Sequence, residues 1–169
     1  MKKILVPTDF SVRSLKLAAY ALKLYHQEII DIILVYPYRI PLSDSELYGF
    51  SPRRIVSELK SEEFLRARNE LVHRFYVNIG TIQVELFTGL NSLAFQNFTD
   101  RLKVRTAVVP QKGFLDFSQS TTFDPLPLIQ KNIPEIHRIC FKQEEVGEPF
   151  TEQRTKGIFS SLKNVFQGF

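Results

Sequence analysis

Three histidines, one cysteine, a pair of adjacent glutamates and a run of arginines are the side chains of this 169-residue chain best equipped for chemistry. His26, His73 and His137 lie dozens of residues apart, with none of the close spacing that lets two ligands of one element meet a zinc ion. They read as surface or helix-end residues, and no metal site is expected. Cys140 falls inside an apolar run, where an inert buried thiol is expected rather than a nucleophile. Glu62 and Glu63 are consecutive, so on a helix they point to different sides and make a solvated face, not a catalytic dyad. No Gly-x-Ser-x-Gly or Walker-type loop is present. No residue set for catalysis emerges, and the chain is read as a non-enzyme.

Arg53, Arg54, Arg66, Arg68 and Arg74 could contact phosphates, but Glu58, Glu62, Glu63 and Glu70 are interleaved with them and can pair along the same helix. The formal charge of +4 comes from 22 basic and 18 acidic residues spread along the chain, not gathered into a stripe. A basic accessory protein for nucleic acid is therefore the weakest reading, and no nucleic-acid partner is expected.

The length fits one domain, and 44% hydrophobic with 24% charged residues is the balance of an ordinary globule. A lone cysteine cannot form an internal disulfide, the apolar run after Lys2-Lys3 stops at Pro7, and the stretch 29–36 is too short to cross a bilayer. The expectation is a cytoplasmic protein with no membrane partner.

The elements follow from periodicity and punctuation. A strand over 3–7 leads to Ser11 as helix cap, with Phe10 and Leu15 placed as a hydrophobic staple. Leu15, Ala18, Ala19, Leu22 and Tyr25 then recur at helical spacing, and 29–36 is a second apolar strand. This is a βαβ unit with parallel strands and a right-handed crossover. A loop over 37–51 leads to one helix from Ser51-Pro52 to Phe75, with Ile55, Leu59, Phe64, Ala67, Leu71 and Phe75 inward. A third strand over 81–88 and a helix capped by Asn91, bearing Leu93, Phe95, Phe98 and Leu102, follow. A fourth strand over 106–109, a short helix around 128–131 and a fifth strand over 136–141 complete a doubly wound α/β sandwich of five parallel strands. The boundaries are 1–141 for this domain and 142–169 for a polar linker and an amphipathic helix over 155–169. That helix carries Ile158, Phe159, Leu162, Val165, Phe166 and Phe169 opposite Lys156 and Lys163. It is read first as packing on the protein or its dimer, with docking to a partner or a membrane surface as the other readings.

The run Ile4-Leu5-Val6-Pro7-Thr8-Asp9-Phe10-Ser11, the helix that follows and Ile33-Leu34-Val35-Tyr36-Pro37 resemble the universal stress protein family over about forty residues. The resemblance implies an α/β sheet of the adenine nucleotide alpha hydrolase-like type with strand order 3-2-1-4-5, and a homodimer through the last strand. It places adenine and ribose near the ends of the first two strands, so Thr8, Asp9 and Val35 are candidates for a remnant pocket, with Asp9 equally an acid stabilising the first helix. Leu34 stands where many members carry histidine.

In ATP-binding members the triphosphate lies on a loop after the fourth strand: Gly, two residues, Gly, nine residues, Gly, then Ser or Thr. Those positions fall here on Pro110, Gly113, Phe123 and Asp124, and Gly113 alone matches. Phosphate binding needs backbone amides at close approach and an open helix N-terminus. Pro110 has no amide, Phe123 puts a ring where backbone must pass, and Asp124 sets a carboxylate beside a polyanion at a cost of a few kcal/mol, on the order expected at short range. Pro125 and Pro127 remove two further donors. The expected function is a non-enzymatic stress-response regulatory or protein-interaction module that uses no cofactor and does not bind ATP. The alternative is an adenine-nucleotide-binding signalling domain with a rebuilt loop, to which a slipped alignment would offer the hydroxyls of Ser120, Thr121 and Thr122.

Overall fold

Continuous β-branched and aliphatic runs with no polar alternation can only be central strands covered on both faces, and this is where the chain puts them. In the computed structural model, which describes residues 1–40 and 50–141, β1 (Lys2–Pro7), β2 (Ile30–Pro37), β3 (Ile79–Phe87), β4 (Thr106–Pro110) and β5 (Glu135–Ile139) form one sheet of order β3-β2-β1-β4-β5. Every pairing is parallel, with Val6 opposite Leu34, Leu34 opposite Val84 and Val108 opposite His137. The doubly wound fold and the strand order are therefore as the sequence predicts.

Alternate residues of the inner strands feed two cores. Ile4, Val6, Ile32, Leu34 and Val108 meet α1 (Leu15–Leu24) and α3 (Glu62–Arg74) on one face. Leu5, Ile33, Val35, Ala107 and Val109 meet α4 (Ser92–Leu102) and α5 (Leu126–Asn132) on the other. In α1 the buried side chains are Leu15, Leu17, Ala18, Ala19, Ala21 and Leu22, and each fully buried leucine contributes roughly 1.5–3 kcal/mol.

Several boundaries differ from expectation. Ser11 caps a 3-10 turn, Val12–Ser14, and α1 begins only at Leu15. The long helix expected up to Phe75 is two: α2 (Pro52–Leu59) and α3, separated at Lys60–Ser61. Lys60 is extended, and the Ser61 hydroxyl accepts from the Phe64 amide at 3.1 Å, with Glu62 and Glu63 favouring the new N-terminus. Ile55 and Leu59 of α2 are only half-buried. Leu93 is 67% exposed, in the first turn of α4 on the side away from Phe95 and Phe98. Cys140 is exposed rather than buried, since β5 is a short edge strand that ends one residue before it. Most of the 37–51 loop and the whole of 142–169, with its linker and amphipathic helix, lie outside the described residues.

The interleaved arginines and glutamates pair as expected at two places, Arg54 with Glu58 and Arg66 with Glu62, both one helical turn apart. Arg68 instead reaches across to the carbonyl of Ile82 on the edge strand. No helix of the described residues is long and apolar enough to cross a membrane.

At the N-terminal ends of the strands a polar cluster ties β5 to β1, β4 and α1. Glu135 accepts from Thr106 Oγ1 at 2.6 Å and from Tyr25 Oη at 2.8 Å, and pairs with Lys2 at 3.2 Å. His137, expected at the surface or a helix end, is half-buried in this cluster, 2.9 Å from the Tyr25 hydroxyl and 3.2 Å from Glu135. The Thr106 and Tyr25 hydroxyls, with Lys2 and His137 behind them, hold the Glu135 carboxyl down at about 2. A depressed carboxylate contributes stability above its unfolded value, and that contribution is lost as pH falls through the folded value. Wild type should therefore lose more stability than Glu135→Gln between about pH 4.5 and 2, by about 1 kcal/mol once solvent screening of this half-exposed group is allowed for. Urea unfolding at pH 5 and pH 3 checks this; equal losses would contradict it.

Candidate functional site

In an open α/β sheet, ligands sit beyond the carboxyl ends of the strands where the strand order reverses. Here that point lies between β1 and β4, and the chain leaving each strand there builds an open cleft of about 450 Å³. Its walls, among the described residues, are Asp9 to Ser11 and Arg13 after β1, Tyr36 of β2, Leu59 and Ser61 at the break between α2 and α3, and Asp116 and Gln119 after β4.

The β1 turn is fixed by its own polar groups. Thr8 is fully buried; its hydroxyl accepts the Phe10 amide at 3.0 Å and shares a hydrogen bond of 2.8 Å with Ser14 Oγ. Phe10 takes a positive φ of 59°, a conformation that costs a non-glycine residue about 1–2 kcal/mol. That turn lays its ring 5.1 Å from Tyr36 and 5.3 Å from Phe64, burying it. Asp9 closes the turn: Oδ1 accepts from the Ser11 amide at 3.0 Å and the Ser11 hydroxyl at 2.5 Å, while Oδ2 accepts from the Asp116 amide at 2.9 Å. One carboxylate thus joins the loop after β1 to the loop after β4.

Of the four sequence candidates, Asp9 lines the cleft. Thr8 and Val35 are adjacent but wholly buried, Val35 in the second core and with its carbonyl accepting the Thr8 amide. Gly113 is not among the lining residues; it has a φ of 84° in an exposed turn with open space around it. Its glycine is required by the backbone conformation, not by anything pressing close.

The loop after β4 is filled and self-bonded. Phe114 stacks on Phe141 at 4.6 Å, Leu115 and Thr122 are buried, and Phe123 packs into the second core, 6.0 Å from Phe87. The Thr122 hydroxyl donates to the Phe117 and Gln119 carbonyls, so of the three hydroxyls a slipped alignment would offer, this one is occupied. Arg39 fastens the loop through its amide to Thr121 O at 2.8 Å and its Nε to Thr122 O at 3.1 Å. The amides of Gln111, Phe114, Asp116, Ser118 and Thr122 all donate within the protein. Asp124 accepts the Leu126 amide at 2.9 Å, and Pro125 and Pro127 on either side have none to give.

Two features of the cleft have no counterpart in the sequence reading. Tyr36 is 3% exposed, yet it lines the cleft. Burial pushes that phenol up, with Tyr38 and Asp9 adding to the effect, so it stays protonated. Asp116 is the second: its carboxyl is held down by the Ser118 hydroxyl and amide and by nearby Arg13, and remains ionised. Only the Ser61-Glu62-Glu63 pattern, a helix start, could have signalled that Leu59 and Ser61 reach this site.

The universal stress protein UspA from Lactobacillus plantarum superposes with a TM-score of 0.54 at 14% identity, over 83% of this chain and 97% of that one. This is the universal stress protein fold. A second such structure, a universal stress protein in complex with cAMP, gives 0.51 at 16% identity over 82% of this chain and 96% of that one. No protein-family model matches the sequence, and no curated protein matches it. Relative to the universal stress protein fold, the described residues account for the whole sheet and both helical layers.

Proposed function

We propose that this chain is a regulatory or protein-interaction module built on the universal stress protein fold, without enzymatic activity of its own and without a triphosphate site. The observation that supports this is the state of the loop after β4, where the amides of Gln111, Phe114, Asp116, Ser118, Thr122 and Leu126 donate within the protein and Pro125 and Pro127 have none to give. A triphosphate there would have to break those bonds and face Asp124. We further propose that the protein acts as a homodimer through β5, whose outer edge has no strand partner among the described residues.

Thermal unfolding with and without Mg²⁺ and ATP tests the first reading. A ligand at a hundred times its dissociation constant adds about 2.7 kcal/mol, which would raise the midpoint by roughly 5–10 °C in a domain of this size. No shift is expected at millimolar ATP. A saturable shift would favour the second reading, an adenine nucleotide held through a rebuilt loop, for which the open cleft at the strand ends is the supporting observation.

A further inference from the structure

β3 closes one side of the sheet, and its outer edge is open to a further strand. The Tyr38 amide donates to the Phe87 carbonyl, so Phe87 turns its backbone groups toward β2. Alternation then sends those of Gln83 and Glu85 the same way and points those of Ile82, Val84 and Leu86 outward. Among the described residues no strand pairs beyond them. This nine-residue strand carries no proline and no lysine, the residues that commonly blunt such an edge. The side chains of Ile82, Val84 and Leu86 pack with the first core, which holds the edge in place from behind.

One residue guards this edge, and poorly. Arg68 of α3 donates from Nη2 to the Ile82 carbonyl at 3.2 Å, while its Nε is buried with no hydrogen-bond partner. A buried donor left unpaired is costly, so little free energy holds the guanidinium in this pose. Lys60, in extended conformation between α2 and α3, is near enough to feel its charge: burial first, and Arg68 second, hold the amine below its usual value. Neither cation forms an ion pair among the described residues, whereas Arg54 and Arg66 of the same two helices pair with Glu58 and Glu62. Outward backbone groups beside two uncompensated cations fit an extended chain that carries carboxylates.

We propose that β3 accepts an added strand from a partner protein, an extended acidic segment whose backbone pairs with Ile82, Val84 and Leu86 and whose carboxylate meets Lys60 and Arg68. The inference rests on the interaction-module reading and names the chemistry of the partner. An incoming amide replaces Arg68 at the Ile82 carbonyl, and the guanidinium turns outward and donates to the carboxylate, which relieves its unpaired Nε. The β5 edge stays free for a second copy.

Titration of the isotope-labelled full chain with the acetylated and amidated peptide Thr-Val-Glu-Val-Glu-Val-Thr decides it. Saturable binding at micromolar to millimolar concentration is expected, with amide exchange slowed at Val84 and Leu86 and little changed at Gln83 and Glu85, which β2 already protects. Glutamine in place of both peptide glutamates, or Lys60→Gln in the protein, should weaken binding about three- to fivefold, as loss of a partly exposed charge contact implies. Val84→Pro removes an outward donor and none that faces β2, a change an edge strand tolerates, and should abolish binding. No saturable binding, unchanged exchange at Val84 and Leu86, or equal affinity for the glutamine peptide overturns the proposal, whether or not the proline variant folds. Peptide silence without an ATP shift removes this surface and leaves the reading beneath it; peptide silence with an ATP shift removes both.

Discussion

Phe95→Ala is expected to remove about 3–5 kcal/mol of folding free energy, the largest effect of any single truncation on the α4 side of the sheet. Phe95 is fully buried at the centre of that core, its ring 5.0 Å from Phe87 in an edge-to-face contact and 6.1 Å from Phe98. The surrounding side chains are held by the rigid inner strands: Ile33 and Val35 from β2, Ala107 and Val109 from β4. A sheet of paired strands cannot collapse into the space a phenyl ring leaves, so a cavity term adds to the lost transfer energy. Against a total stability of about 5–15 kcal/mol, the loss could leave the protein partly unfolded at 37 °C. Leu93→Ala, one residue pair away on the same helix but 67% exposed, should change stability by no more than about 0.5 kcal/mol. Urea unfolding with an unchanged m-value measures both; a Phe95 loss below about 1.5 kcal/mol would show that this core is loosely packed.

What the sequence made legible were the interior strands and the helix stripes, because a run such as Ile32 to Val35 has only one way to avoid water. What it hid was decided by competition between local signals. A helical pattern ran on from Ile55 to Phe75, and only the cap at Ser61, a three-residue event, broke it in two. Cys140 was misplaced because hydrophobic surroundings say that a residue can be buried, not that the element reaches it. The site divided the same way. Asp9 was visible through its resemblance to a family position, as was the loss of glycines after β4. That Tyr36 would line the cleft was not visible, since the cleft is completed by Ser61, Asp116 and Gln119, which come from two distant segments. Nor could the sequence show that Arg39 would lock the far end of the loop through two carbonyls.

Asp9→Ala should cost about 2 kcal/mol and act chiefly on the loop between β4 and α5. Its carboxylate accepts three hydrogen bonds, two from backbone amides, and bonds to a charged acceptor are worth about 1.5–3 kcal/mol each before water replaces them. Asp9 is partly exposed, so water takes over some of that role, which brings the net loss below the sum. The left-handed turn at Phe10 sharpens the prediction. Thr8 still holds the Phe10 amide in the variant, so the aromatic contact with Tyr36 and Phe64 should persist, while the Asp116 amide loses its only partner. Amide hydrogen exchange at Asp116 should accelerate far more than at Val6 or Leu34, which are protected by the sheet itself. Asp9→Asn, which keeps one acceptor oxygen, should lose roughly half as much. Uniform acceleration across sheet and loop in Asp9→Ala would instead make Asp9 a determinant of global stability, and the tie between the β1 and β4 loops would then be incidental to it.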